Sequence, residues 1–267
     1  IKNPKFFWKS IWDFTKIIGV KGDIILKKSE IFYKNTFFPM SKVNYAQNIL
    51  IKKNNKPAII FKSENDYRKE VTWKKLNLNV SAISIWMQNN KIKKGDRVAA
   101  YLPNIPEAVI AYIASSAIGA VWSSCSPDFG ATGVIERFSQ IKPKILFIGN
   151  EYFYNGKKIN ILERIPNILK NIPSVKHVII NKYPGQNNFV KKYNYKNIKT
   201  YNWNDLIKSD EWYLDAEIVS FLSSNPPKSL YVSYLSFPNN MYISPLYIDI
   251  NNTPAAYDIF YILLIFP

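Results

Sequence analysis

The sequence predicts an α/β fold: a parallel sheet flanked by helices, preceded by a helical and irregular N-terminal cap. Three observations predict it. Between Arg97 and Ile180, short apolar runs alternate with helical patterns as β-α-β-α-β-α-β, the order from which parallel sheets are built. Gly and Pro punctuate that stretch at the joints, with Gly95-Asp96 and Pro103-Asn104 as turns and Gly119 as a helix end. Upstream, one amphipathic helix gives way to an aromatic, aperiodic stretch. The length of 267 residues, with 47 % hydrophobic and 21 % charged residues, suits a globular chain with a sizeable core.

In chain order, residues 3 to 18 read as a helix, because Phe6, Phe7, Ile11, Phe14 and Ile18 recur at helical spacing between lysines. Residues 19 to 56 read as irregular. Ala58 to Phe61 and Lys69 to Thr72 form a hairpin pattern around Glu64-Asn65-Asp66. Thr72 is placed to cap a helix carrying Leu76, Val80, Ile83 and Met87 on one face and running to about Asn89. Arg97 to Leu102 reads as a buried strand. Pro106 opens a helix rich in small residues that ends at Gly119. Ala120 to Ser123 is a strand, Ser124 to Gly130 a loop, Gly133 to Gln140 a helix and Ile145 to Ile148 a strand. A weaker helix at Ile161 to Asn171 leads to a last strand at Val175 to Ile180.

Composition excludes several function classes. One cysteine, Cys125, leaves no intrachain disulfide framework and no cysteine-rich zinc site. One histidine, His177, leaves no paired-histidine metal site. The net charge of +17 invites a polyanion reading. Yet only Arg68, Arg97, Arg137 and Arg164 are arginine, the residue that grips phosphate bidentately, and the lysines are scattered among many Ile and Asn residues. Compositional bias of an AT-rich genome is the better account, so no specific nucleic-acid partner is expected. No signal peptide and no apolar run of spanning length is visible, so no membrane partner and a cytoplasmic location are expected. A chain that starts at Ile1 rather than Met is expected to be a fragment or a processed product.

The middle of the chain carries a resemblance. The string from Gly95 to Ala108, Gly-Asp-Arg-Val-Ala-Ala-Tyr-Leu-Pro-Asn-Ile-Pro-Glu-Ala, resembles the start of the large domain of adenylate-forming acyl-CoA synthetases. Gly119 to Gly130, with Trp122-Ser123-Ser124-Cys125-Ser126-Pro127-Asp128-Phe129, followed by Arg137 to Lys144, resembles the acetoacetyl-CoA synthetase branch of that superfamily. Phe7-Trp8, Trp12-Asp13-Phe14, Phe37-Phe38-Pro39 and Asn44-Tyr45-Ala46 resemble the N-terminal cap of the short-chain enzymes. The resemblance spans about residues 1 to 215. It implies a cap at 1–56, the first α/β subdomain of the AMP-binding domain at 57–218, and a divergent tail at 219–267. It also implies ATP-dependent ligation of acetoacetate to CoA through an acyl-adenylate, with ATP, CoA and Mg²⁺ used by the intact enzyme and small molecules as its partners. Acetate or propionate as the acid, and a non-catalytic basic binding module, remain the alternatives.

The resemblance assigns cofactor-binding residues by position. Arg137 stands where a family arginine approaches the CoA 3′-phosphate; pairing with Glu136 or Asp128 is the structural alternative. Ser126, Pro127 and Asp128 lie where the family loop meets the adenine end of CoA, and a plain turn is the alternative. No catalytic or metal-binding residue is expected in this chain. Asp96 and Arg97 read as a turn and a structural ion pair, Cys125 as a loop or half-buried thiol, and His177 as a packed or surface histidine. Trp8, Trp12, Trp73, Trp86 and Trp122 read as packing residues. The family's phosphate loop, rich in Ser, Thr and Gly and ending in Lys, is expected just past Glu217. Phe221-Leu222-Ser223-Ser224 begins that way, but Asn225-Pro226-Pro227-Lys228 follows, and no glycine occurs from Val219 onward. Without glycine the backbone amides cannot close on phosphates. The tail is therefore either an ending peculiar to this protein or the product of a reading frame lost near residue 218. The chain as it stands is expected to be inactive alone.

Overall fold

The computed structural model describes residues 2–64, 66–186, 195 and 197–208. The expected tail and phosphate-loop region, 219–267, lie outside the described residues.

Helix α1 (Pro4–Thr15) starts where Asn3 accepts the Phe6 amide proton at 3.0 Å, and it stops at Lys16 in a left-handed conformation. It ends three residues earlier than the periodicity suggests, and none of its residues is buried. Trp8 therefore does not belong to the core; it lies 38 % exposed with its ring 5.4 Å from Phe37. The stretch expected to be irregular holds small regular pieces. They are β1 (Gly19–Val20), β2 (Leu26–Lys27), β3 (Thr36–Phe37), β4 (Lys42–Val43) and α2 (Tyr45–Ile49). The first strand pairs antiparallel with the fourth and the second with the third. Two-residue strands are too short for any period to show. Asn44 ties this arm down: its Oδ1 caps α2 at the Gln47 amide, while Nδ2 donates to the Ser116 and Ala117 carbonyls at 3.4 and 3.0 Å.

The hairpin of β5 (Pro57–Lys62) and β6 (Arg68–Thr72) forms as expected. Thr72 then caps α3 (Trp73–Asn89), its Oγ1 accepting from the Lys75 amide at 3.2 Å. The α/β body follows with β7 (Arg97–Tyr101), α4 (Pro106–Ala117), β8 (Val121–Cys125), α5 (Ala131–Ile141) and β9 (Ile145–Gly149). A hairpin of β10 (Glu151–Tyr154) and β11 (Lys157–Asn160) comes next, then α6 (Ile165–Asn171), β12 (His177–Asn181), β13 (Lys199–Asn202) and α7 (Trp203–Leu206). Two boundaries correct the sequence reading. Ser124 and Cys125 belong to the strand β8 rather than to a loop, and α5 begins two residues before Gly133.

Five parallel strands lie in the order β13-β12-β9-β7-β8. From β7 the chain crosses outward to β8, then returns past β7 to β9. Right-handed crossovers put α4 on one face and α5 and α6 on the other. All five β9 residues are buried, as are Val98 to Tyr101 of β7. Strands covered on both faces carry apolar side chains on both. The reversal between β7 and β9 is the topological switch point of an open α/β sheet, whose carboxyl edge is the usual ligand crevice. No described helix is long and apolar enough to cross a membrane.

Candidate functional site

At the carboxyl edge, β8 delivers its last residue, Cys125, into the turn Ser126-Pro127-Asp128-Phe129. The Phe129 amide donates to the Ser126 carbonyl at 3.2 Å, and Ser126 Oγ donates to Asp128 Oδ2 at 2.7 Å. Proline and aspartate at the two central positions suit such a turn, since proline presets its φ and the short acidic side chain bonds locally. Gly130 then serves as the N-cap of α5 with no side-chain cap. Pro127 is buried, whereas Ser126, Asp128 and Phe129 face outward.

Arg137 sits two turns along α5, on the side that faces the turn. Its Nη1 donates to the Gly133 carbonyl at 3.0 Å, and its Cζ lies 4.1 Å from the centre of the Phe129 ring. A cation over a ring face is held by the ring quadrupole. The alternative of Arg137 pairing with Glu136 or Asp128 is not what these bonds show. Gly133 makes the room: a β-carbon there would come within 3.3 Å of Arg137 Nη1. The structure therefore brings Ser126, Pro127, Asp128 and Arg137 together at one rim.

Two residues that sequence reasoning missed hold this rim from below. Tyr101, the last residue of β7, is fully buried, and its hydroxyl donates to the Phe129 carbonyl at 2.6 Å and stands 3.1 Å from the Pro127 carbonyl. Arg164, in the 3₁₀ turn Leu162–Arg164, donates through Nη1 to Tyr101 Oη at 2.8 Å and to the Pro127 carbonyl at 2.9 Å. Burial pushes the Tyr101 hydroxyl above its ordinary pKa, against the pull of the Arg164 guanidinium. The available signal was scarcity: two of the four arginines in the chain converge on one loop.

The remaining candidates resolve as structural. Asp96 does not pair with Arg97. It accepts from Lys144 Nζ at 2.8 Å and from the Lys93 amide at 2.9 Å, while Arg97 donates to the carbonyls of Ile141 and Lys142. Burial raises the Asp96 pKa, but Lys144 and the Lys93 amide outweigh it and the net shift is downward. Cys125 is 4 % exposed, and burial pushes its thiol up to about 11, so it is neither a loop thiol nor a nucleophile at neutral pH. His177 packs edge-on against Trp86, 3.5 Å from the Tyr201 hydroxyl; burial and then Lys199 lower its pKa.

A separate polar cleft of about 430 Å³ opens beyond β12 and does not include the turn. Lys69, Glu107, Lys182, Tyr183 and Trp203 are among its lining residues. Glu107 Oε1 accepts from Lys69 Nζ at 3.0 Å, while Oε2 is shut from solvent with no hydrogen-bond partner among the described residues. Among the described residues there is no group of three or more His, Cys, Asp or Glu placed to hold a metal ion.

The open parallel sheet, with helices on both faces and a tight turn at its carboxyl edge, defines an α/β protein, and the family can be stated directly. The model of the AMP-binding enzyme family matches residues 48–220, and the chain belongs to that family. Within it, the chain is 37 % identical over 166 residues to acetoacetyl-coenzyme A synthetase of Rhizobium meliloti (strain 1021), a match covering 62 % of this chain and 26 % of that protein. It is 30 % identical over 182 residues to malonamoyl-CoA synthetase of Penicillium aethiopicum, covering 65 % and 25 %. The solved acetoacetyl-CoA synthetase from Streptomyces lividans superposes with a TM-score of 0.67 at 29 % identity, covering 77 % of this chain and 31 % of that one. The resemblance read from residues 95 to 144 is thereby borne out, as is the parallel-sheet fold. The chain spans about a quarter of the length of the curated relatives it matches.

Proposed function

We propose that this chain carries the first α/β subdomain of an ATP-dependent ligase that joins acetoacetate to CoA. In the first half-reaction, a carboxylate oxygen attacks the α-phosphorus of ATP and pyrophosphate leaves. In the second, the CoA sulfur attacks the acyl carbon, the bond to AMP breaks, and the thiol proton passes to solvent. Neither bond change falls to the described residues. Their part is to hold CoA: Arg137 takes the 3′-phosphate, and Ser126, Pro127 and Asp128 line the approach of its adenine end. Mg²⁺ would supply charge neutralisation on the ATP phosphates from residues outside this subdomain. A cytoplasmic setting belongs to the same proposal.

One observation carries the reading. The Trp122–Gly130 string folds as the end of strand β8 and a tight turn, Ser126 to Phe129, at the carboxyl edge of the sheet, with Arg137 set on its rim at 4.1 Å from the Phe129 ring. The similarity to acetoacetyl-CoA synthetases supports acetoacetate as the acid. The glycine-free sequence from Val219 leads us to propose further that the chain alone forms no adenylate. Calorimetric titration with CoA tests the site, and Arg137→Met is expected to weaken binding about tenfold, the worth of a charge-assisted hydrogen bond. Pyrophosphate release by the full-length ligase is expected to depend on acetoacetate in preference to acetate. Absence of CoA binding by the chain would remove the site assignment, and equal use of acetate would remove the substrate.

A further inference from the structure

We infer that Tyr101 and Arg164 are positioning residues that fix the 126–129 turn and, through Phe129, the direction in which Arg137 presents its guanidinium. The inference rests on the proposed CoA role of Arg137 and extends it to two residues remote from the ligand.

Two donor groups meet the turn's carbonyls, and they share them: Tyr101 Oη also stands 3.1 Å from the Pro127 carbonyl and Arg164 Nη1 3.4 Å from the Phe129 carbonyl. Arg164 Nη1 carries two protons and the Tyr101 phenol one. Three acceptors meet them: Tyr101 Oη at 2.8 Å from Nη1, the Pro127 carbonyl at 2.9 Å from Nη1, and the Phe129 carbonyl at 2.6 Å from Tyr101 Oη. These carbonyls lie on either side of Asp128. Anchoring both fixes the two peptide planes that frame the turn, so the turn cannot pivot about Asp128. Tyr101 is a rigid post, being the fully buried last residue of β7, a strand paired on both sides. Arg164 arrives from a separate segment, the 3₁₀ turn after β11.

The coupling to the rim passes through one side chain. Anchoring the Phe129 carbonyl places the Phe129 ring, and the ring lies 4.1 Å from Arg137 Cζ. Gly133 completes the seat, because its missing β-carbon leaves the space that Arg137 Nη1 fills on its way to the Gly133 carbonyl. The Arg164 Nη1 protons are directed at protein atoms of the turn and of Tyr101, which makes this edge of the guanidinium a brace. The hydrogen bond to Tyr101 also raises the Arg164 pKa, so the brace stays charged through the working pH range.

The full chain tests this with two readouts. The first is the ratio of affinities for CoA and for dephospho-CoA, which lacks the 3′-phosphate, by calorimetric titration. The second needs no ligand: the side-chain proton resonances of Arg137, which the Phe129 ring current should shift upfield. In the unaltered chain CoA should bind about tenfold tighter than dephospho-CoA. Tyr101→Phe and Arg164→Met should each lose most of that ratio and return the Arg137 resonances toward unfolded values. Arg164→Lys, which can still donate to Tyr101 Oη and the Pro127 carbonyl, should restore much of both. Folded variants with a lower melting temperature but unmoved Arg137 resonances would show a merely structural brace and overturn the inference. Should Arg164→Met fail to fold, Tyr101→Phe carries the test, since it removes one hydroxyl. If the unaltered chain does not distinguish CoA from dephospho-CoA, the CoA reading of Arg137 falls, while the Arg137 resonances still decide the brace.

Discussion

Replacing Gly133 by alanine separates stability from binding at the rim. The residue lies in the first turn of α5 with an ordinary helical backbone, so alanine meets no conformational strain there. Removing a glycine from a helix is worth up to about 1 kcal/mol. For a domain of this size that gain would raise the melting temperature by roughly 2–4 °C. The added β-carbon, however, would stand 3.3 Å from Arg137 Nη1 and 3.5 Å from Phe129 Cδ1. The guanidinium is the far end of a flexible side chain, so it yields by a few tenths of an ångström and the fold loses little. What it gives up is its fit over the Phe129 ring, a contact worth about 0.5–1 kcal/mol at an exposed site. Gly133→Ala should therefore leave the chain as stable as before or slightly more so, and weaken CoA binding by roughly two- to fivefold, the same half to one kcal/mol expressed as an affinity. Differential scanning calorimetry and titration with CoA read the two effects on one sample. A variant that gains stability and binds CoA unchanged would refute the claim that Arg137 needs the space above Gly133. One that loses stability would refute the claim that the guanidinium yields freely.

Three further outcomes follow from the same structure. The Asp96 carboxyl is held below its ordinary value of 3.8, so its contribution is present above that pH and is lost as pH falls through the folded-state value. Asp96→Asn should lower the melting temperature at pH 7 and flatten its fall below pH 4, and a variant that falls as steeply in acid as the parent would contradict the assignment. The Cys125 thiol, pushed up to about 11, should resist iodoacetamide at pH 8 in the folded chain and react on addition of denaturant, as mass spectrometry would show; rapid labelling of the native chain would count against its burial. Resequencing through codon 218 should reveal, in another frame, a glycine-rich Ser/Thr loop ending in Lys; an intact frame would make the tail native to this protein.

The regular core was legible because each of its elements repeats one signal several times. Leu76, Val80, Ile83 and Met87 all lie buried on α3, and Thr72 caps it as its position implied. The run Val98-Ala99-Ala100-Tyr101 could be read as a buried strand because both of its faces are covered by helices. Elements fixed by single contacts left no such repetition. The β10–β11 hairpin went unseen, although its register is orderly from Glu151↔Asn160 to Tyr154↔Lys157. Its turn is anchored by a distant residue, Glu64, whose carboxylate accepts the Asn155 and Gly156 amides from 91 and 92 positions away. Nor could β13 be recognised, because Lys199-Thr200-Tyr201-Asn202 is apolar on neither face and becomes a strand through pairing with β12.

The candidate site divides along the same line. The turn and Arg137 share one contiguous stretch, so a short string of residue types sufficed to find them. The brace is assembled from residues 63 and 37 positions apart, Arg164 with Tyr101 and Arg164 with Pro127. Neither residue looks functional by type: a tyrosine at the end of a buried strand reads as core, and a lone arginine before a helix reads as surface. Their meaning comes from a shortage of donors. Two carbonyls turned inward beside Asp128 need protons, and an unmet need of that kind costs about 1–3 kcal/mol each. A strand-end phenol and one guanidinium meet it. A loop that must present charge outward to a ligand has to direct its carbonyls somewhere else, and the residues that receive them are as much a condition of the site as the residue that touches the ligand.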